Sequence, residues 1–378
     1  MHHAWEALCR HSLLITCIVF LSTLLLVLLL RPLAGRFGLL DRPGGRKTHA
    51  APTPVIGGVA ILLGALPCAL LTFQLTPSVI GFGLAGIIVI ATGVIDDMKD
   101  LRWKYRLAAQ TTAALVLVYI GGVSVERIGP LFGAEPNDLG MLSMPFTVIA
   151  TVGIINALNM ADGIDGLAGA LTACALAMLT GAAVYSGNEN LAHGLIVLLG
   201  AVLAFLAFNI RLPWRPRARV FLGNAGSEFL GLCIAWACFR MTQNAAHPVT
   251  PALAPFLLAP PLIDCLVVMV RRIRSGRSPF AADRGHLHHM MLDAGIPTTA
   301  VVLLISAASL AIGGFAALAL LAHVRVVWLV AAFVGLTIAY YVISARRDRC
   351  LAFFGRISQL LPTRKPRDGD NAMRMGAE

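Results

Sequence analysis

Apolar runs about as long as a lipid hydrocarbon layer is thick recur along this chain, with short polar loops between them. A hydrocarbon core of roughly 30 Å takes about 20 mostly apolar residues per helical crossing. By run length the chain carries about eleven such helices. They centre near Val19, Leu63, Ile88, Val116, Ile149, Ala175, Leu199, Ile234, Leu258, Ala311 and Val334. Composition agrees: 58% of residues are hydrophobic, only 13% are charged and mean hydropathy is +0.79, where a soluble domain holds about 25% charged residues. The expected fold is all-α, a polytopic integral membrane protein. The first run, Leu13–Leu30, lacks a small-residue cleavage site before Arg31, so it is read as a retained helix and not a removed leader. Pro251, Pro255, Pro260 and Pro261 crowd one run and predict a kink or break there.

Positive charge sets the expected orientation. Of the 30 lysines and arginines, 26 fall in alternate loops and the C-terminal tail; the opposite side holds only Arg10, Arg127, Arg240 and Arg325. The positive-inside rule then predicts a periplasmic N-terminus and a cytoplasmic C-terminus. The net charge of +11 is thereby a matter of topology, and no nucleic-acid partner is implied. The eight cysteines lie mostly inside apolar runs and form no CxxC pair, which indicates small packing residues and neither a zinc knuckle nor a disulfide framework. Residues 1–361 read as one transmembrane domain. The basic segment 362–378 reads as a disordered cytoplasmic tail.

Four polar clusters interrupt this pattern, all on the basic side. Asp96-Asp97-Met98-Lys99-Asp100 ends the third run. Adjacent carboxylates repel each other unless a cation compensates, and a divalent metal with a phosphorylated ligand would do so; a solvated helix end near Lys and Arg is the alternative. Asn156, Asn159, Asp162 and Asp165 recur every three residues, one slowly drifting polar stripe on a helix. Oxygen donors at that spacing suit Mg²⁺, a ribose or a phosphate. Gly223-Asn224-Ala225-Gly226-Ser227-Glu228 enters the eighth run. A glycine-rich turn into a helix N-terminus can hold an anion, Phe221 can stack on a base, and an ordinary N-cap by Asn224 or Ser227 is the plainer explanation. Finally, Asp283-Arg284-Gly285-His286-Leu287-His288-His289 gathers three histidines beside an arginine. Zinc, phosphate and acid–base roles are all open to it; no cysteine lies near as a fourth zinc ligand, and the Arg271–Arg277 cluster favours phosphate.

Together these clusters resemble one family, the polyprenyl-phosphate N-acetylhexosamine-1-phosphate transferases, and most closely its undecaprenyl-phosphate GlcNAc-1-phosphate branch. RKTHAAPTPVIGG (46–58), DDMKD (96–100), NALNMADGIDGLAG (156–169), FLGNAGSEFLG (221–231) and SPFAADRGHLHH (278–289) occur in the family's order. The resemblance implies a multi-pass enzyme of the bacterial inner membrane with its active site on the cytoplasmic side. Its substrates would be a UDP-N-acetylhexosamine and undecaprenyl phosphate, its metal Mg²⁺ with Mn²⁺ as the alternative; a homodimer stays open. It implies a catalytic set of Asp96, Asp97, Asp162 and His286. Asp165 matches an acid near the nucleotide, Phe221 an aromatic on uracil and Asn209 a further uridine contact. His288, His289 and Arg284 match a diphosphate- and sugar-facing loop, while Lys47 and Lys104 match basic positions. Asn159 matches a metal-side asparagine.

One position departs from the pattern. The family's third motif reads Phe-x-Gly-Asp, with that Asp a principal Mg²⁺ ligand, and here the residue is Asn224. An amide oxygen can coordinate a hard cation but brings no charge. Glu228 lies four residues on and shares a helical face with Asn224 if the helix begins there. Glu228 is therefore expected either to supply the missing charge as a third metal-side residue, or merely to cap an impaired variant. A catalytically silent binder of the sugar nucleotide or lipid phosphate, and a transporter with broken helices, are the rival functions; clustering of the polar groups at one face speaks against the transporter.

Overall fold

A computed structural model describes residues 2–41, 52–72, 74–131, 138–246, 249–281 and 283–360. It is a bundle of α-helices with one two-stranded antiparallel ribbon, β1 (Leu40–Asp41) against β2 (Thr53–Pro54). The helices are α1 (His2–Leu30), α2 (Gly57–Thr72), α3 (Pro77–Lys99), α4 (Trp103–Tyr119), α5 (Ser143–Ala161), α6 (Leu167–Tyr185) and α7 (Glu189–Asn209). After them come α8 (Gly223–Thr242), α9 (Ala254–Leu257), α10 (Ala259–Arg274), α11 (Leu287–Asp293), α12 (Thr298–Leu321), α13 (Val326–Ser344) and α14 (Arg347–Leu360). Each helix centre expected from the sequence lies within a helix except Leu258, which is the break between α9 and α10. The proline-rich run bends there by 82°, as its composition predicts.

Among the described residues seven helices are long and apolar enough to cross a membrane, and eight if the bent pair forms one span. The outer helices carry the lipid-like surface. Leu21 and Leu25 of α1, Phe315 of α12 and Trp328 and Ile338 of α13 are exposed, in rows that water would not tolerate on a soluble domain. Helix α8 is the opposite case. From Ala225 to Met241 nearly every residue is buried, the mark of a helix enclosed on all sides. It packs against α2, α3, α5, α6 and α7. The approach of α3 is so close that a Cβ at Gly93 would collide with the backbone of Ala225; only glycine permits it. That contact brings the end of α3, with Asp96 and Asp97, against the start of α8.

Candidate active site

The two adjacent acids of α3 do different work. Asp96 is buried and folds the chain. Its Oδ1 accepts the Leu101 N–H at 2.6 Å and its Oδ2 pairs with Arg106 at 3.1 Å, fixing the turn into α4. Asp97 reaches across to α8, where its carboxylate accepts the N–H of Asn224 at 2.8 Å and of Ala225 at 3.2 Å. These are free donors at a helix start, which attract an anion. The anion site expected in the glycine-rich turn is thus filled by Asp97, and the capping expected from Asn224 or Ser227 comes instead from another helix. Ser227 turns its hydroxyl back to the Gly223 carbonyl at 2.9 Å.

The Asn/Asp stripe is not a continuous helical stripe. Helix α5 ends at Ala161, so Asn156 and Asn159 are helical while Asp162 and Asp165 sit in the turn before α6. Each has its own partners. Asn156 donates to Gln110 at 2.6 Å. Asn159 donates to Asn224 Oδ1 and to Ser227 Oγ, both at 2.9 Å, which brings two of the expected metal-side residues together. Asp165 accepts from Arg211 Nε at 2.7 Å and from the Ala218 N–H at 3.1 Å. Asp162 makes no such bond among the described residues. Burial, and then the charges of Asp97 and Asp165, push its pKa up to about 7. It is a carboxylate short of a cation.

Asn209 braces this turn. Its Oδ1 accepts the Gly166 N–H at 2.8 Å and its Nδ2 donates to the Val220 carbonyl at 2.9 Å. Both ends of the amide are engaged inside the protein, and Asn209 is buried. Phe221 follows directly; its N–H donates to the Pro54 carbonyl at 2.8 Å, and its carbonyl accepts the Gly57 N–H at 3.0 Å. The start of α2 is thereby tied to the third motif. Lys47 lies outside the described residues. Lys104 is exposed, 5.8 Å above the Trp103 ring, and Trp103 in turn stacks on Phe280 at 4.7 Å. That stack ties the start of α4 to the loop leading into the histidines.

The histidine loop is held from below by a residue the motifs did not single out. Asp264 of α10 accepts from His286 Nδ1 at 2.7 Å, from the Leu287 N–H at 2.9 Å and from the Tyr340 hydroxyl at 2.6 Å. Arg272 lies 3.3 Å from His286 Nε2 and pairs with Asp283 at 3.0 Å. Burial would raise the Asp283 carboxyl, but the Arg272 and Gly285 hydrogen bonds and the Arg272 charge hold it down to about 2. Both nitrogens of His286 are therefore occupied, so this ring anchors the loop. His288 and His289 differ: His288 Nε2 and His289 Nδ1 are buried and have no hydrogen-bond partner among the described residues. Burial, then the neighbouring His289, lowers the His288 pKa to about 3, and burial lowers that of His289 too. Both rings are neutral near pH 7. His288 Nε2 lies directly over Gly163, where any Cβ would strike it, so the second and fourth clusters meet at that point. Arg284 is turned aside, bonded to Asp293 at 2.6 Å, which also holds Arg347 of α14.

Glu228 is almost fully buried, 1% exposed. Among the described residues neither of its oxygens has a hydrogen-bond partner of good geometry; its neighbours are Arg106, Gln110, Asp96 and Asp97. It faces the α3–α4 side of α8, whereas Asn224 turns its amide toward α5. Among the described residues no three His, Cys, Asp or Glu side chains converge on a point that could hold a metal. The residues that reasoning from motifs missed are Asp264, Gln110 and Arg211; Arg272 belongs to the Arg271–Arg277 cluster read as favouring phosphate, and in the structure it pairs with Asp283. A lone Asp in an apolar, proline-broken run was a signal for the first of them.

A polar site at one end of a helical bundle, built from four loop clusters that interrupt apolar helices, defines a multi-pass membrane protein. The comparisons give that class its family. A family model described as Glycosyl transferase family 4 matches residues 79–242. Undecaprenyl-phosphate alpha-N-acetylglucosaminyl 1-phosphate transferase of Escherichia coli (strain K12) is 32% identical over 311 residues, 82% of this chain and 84% of that protein. The protein of the same name from Haemophilus influenzae is 34% identical over 289 residues, 76% of this chain and 81% of the relative. The chain belongs to glycosyl transferase family 4, as the order of its five motifs implied.

Proposed function

We propose that this protein transfers N-acetylglucosamine 1-phosphate from UDP-GlcNAc to undecaprenyl phosphate. An oxygen of the lipid phosphate forms a bond to the β-phosphorus, the bond from that phosphorus to the bridging oxygen breaks, and UMP leaves. The lipid-diphosphate sugar would start a cell-surface polysaccharide. The observation that carries this reading is the meeting of all four clusters around Asp97, Asp162 and Gly163, in a chain 32% identical to transferases of that name.

The residues fit a divalent cation, Mg²⁺ first. Asp162 lacks a counter-charge among the described residues beside Asp97, and the paired amides of Asn159 and Asn224 add neutral oxygens, a donor set of the kind hard cations take. When bound, such an ion would screen the two phosphates from each other. The chain's own residues position. Asp97 would fix the start of α8, and Asn209 and Arg211 would fix the Asp162–Asp165 turn. His288 and His289, uncharged, would offer hydrogen bonds to the sugar diphosphate without adding charge. The lipid phosphate has a second pKa near 6, so it is already anionic and requires no strong base. Phe221, Lys104 and Lys47 would line the nucleotide and lipid-phosphate approaches. Glu228 would supply, through the α3–α8 contact, the charge that Asn224 lacks.

In this reading the chain has eleven spans in a bacterial inner membrane, with the N-terminus outside and the site facing the cytoplasm, and residues 1–361 form one transferase domain. The test is an assay of purified protein with UDP-GlcNAc, undecaprenyl phosphate and Mg²⁺. UMP and lipid-linked GlcNAc should appear together, and both should disappear with EDTA. Nucleotide binding without UMP release would identify a silent binder and overturn the reading.

A further inference from the structure

Helix α14 follows α13 with two residues between them and does not run out into water. Its first residue, Arg347, pairs with Asp293 at the end of α11. Near its other end Ser358 donates to the Gly295 carbonyl at 2.9 Å, just before α12 begins. Helices α12 and α13 are both long and apolar enough to cross a membrane. Tied where one of them ends and the other starts, α14 lies along the end of the bundle for its 14 residues, about 20 Å. That is the level of the histidine loop, where a bilayer surface meets the spans.

At about 100° per residue, the side chains of α14 fall into three stripes. Cys350, Phe354 and Ile357 turn inward. Cys350 is buried, and Phe354 and Ile357 pack against the cluster that holds Met291, Ile296 and Val302. Asp348, Ala352, Gly355 and Gln359 form a second stripe, with the one acid of the helix and no large apolar group. Arg349, Phe353, Arg356 and Leu360 form the third. All four are exposed, Phe353 by 58% and Leu360 by 85%, and neither arginine has a carboxylate partner among the described residues.

Bulky apolar groups alternating with cations along one stripe suit a helix that lies in a lipid headgroup layer. The apolar side chains enter the acyl boundary while the guanidinium groups reach phosphates. The stripe follows directly on Val342 and Ile343 of α13, which are themselves exposed as lipid-facing residues would be. Arg346 adds an exposed cation at the turn, so four arginines stand against one acid between positions 346 and 360. Such an excess beside a span favours an anionic surface over a neutral one.

We propose that α14 is an interfacial helix, seated by Arg349, Phe353, Arg356 and Leu360 on an anionic lipid surface, and that this seat steadies the histidine loop through Arg347 and Ser358. The two faces of one helix then join the bilayer to α11.

The full chain is placed in phosphatidylcholine nanodiscs with and without phosphatidylglycerol, and amide hydrogen exchange is followed in peptides covering 347–360 and 287–295. Phosphatidylglycerol should slow exchange in 347–360 about twentyfold, each of two arginines at an anionic surface contributing about fivefold. It should slow 287–295 to a smaller degree. Salt near 1 M cuts the reach of the surface charge to roughly 3 Å and should remove most of the effect. Arg349→Gln with Arg356→Gln should lose the response to phosphatidylglycerol, and the paired lysine substitutions should keep it. Phe353→Ser with Leu360→Ser should speed exchange in both kinds of disc. Equal wild-type rates in the two kinds of disc, or an undiminished lipid response in the paired glutamine variant, would overturn the inference. Protection that appears only with two copies of the chain per disc would overturn it as well, by assigning the stripe to a dimer.

Discussion

His286 Nδ1 stands 2.7 Å from Asp264 Oδ2, and the other oxygen of that carboxylate takes the N–H of Leu287. One buried acid on the broken helix thus fixes both the ring and the backbone at the head of the histidine loop. With Arg272 against Nε2, the geometry puts the ring proton on Nδ1.

Asp264 is accordingly a positioning residue. Asp264→Asn should lower kcat by about a hundredfold, the scale of a misplacement near 1 Å, with a much smaller change in the KM for UDP-GlcNAc. Tyr340→Phe, which removes only one of the three bonds, should cost less. A change in Asp264→Asn confined to KM would show that the loop serves binding alone.

Gly163 is required by His288. Gly163→Ala places a methyl group against Nε2, and the rigid ring must move. Transfer should fall by about two orders of magnitude while the protein still extracts as a folded, monodisperse species. The double variant Gly163→Ala, His288→Ala should recover any thermal stability lost to the clash, though not the transfer that His288 serves; equal unfolding midpoints below the wild type for the single and double variants would remove that explanation.

The metal requirement should move with Asn224 and Glu228. Asn224→Asp restores a carboxylate beside Asp97 and Asp162, and half-maximal activity should need about tenfold less Mg²⁺, the effect of roughly 1.4 kcal/mol. Glu228→Gln should raise the requirement. If Glu228→Gln leaves the Mg²⁺ curve where it was, Glu228 supplies no charge to the centre.

Acid should weaken the fold through the histidines. The His288 pKa, about 3 in the folded protein, lies below the roughly 6.5 of an unfolded histidine. The unfolded chain therefore binds more protons once pH drops below about 6.5, and stability is lost as pH falls from there toward 3. The wild-type unfolding midpoint should drop between pH 7 and pH 5. His288→Gln should drop less; an identical pH dependence would contradict a neutral buried ring.

The helices, and the polar clusters that the structure brings together, were legible in the sequence because both rest on local signals. Run length gives the helices, and the five motifs carry their residues within a few positions of each other. What the sequence did not reveal was pairing across the bundle. Asp96 and Asp97 are neighbours in the chain, yet one closes a turn with Arg106 and the other caps α8, 127 residues away. Their division of labour follows from the angle at which α3 meets α8, and that angle depends on Gly93, which looks like any small residue in an apolar run. Asp264 was hidden for a similar reason. Its partners come from α11 and α13, and no spacing rule connects them. The regular Asn/Asp stripe misled in the other direction, because its last two members lie beyond the end of the helix that the period assumed.

The reach of Asp97 to the start of α8, and of His288 to Gly163, has a consequence for how the protein is made. Each contact joins segments more than 120 residues apart. A ribosome-bound chain that has already threaded α3, α5 and α6 into the bilayer still lacks the histidine loop, and so carries no working centre. Competence arrives in one step, late in synthesis, once α10 has bent and α11 has docked. A partly inserted chain that stops short of α11 should therefore turn over no lipid carrier, and activity reports insertion at least that far.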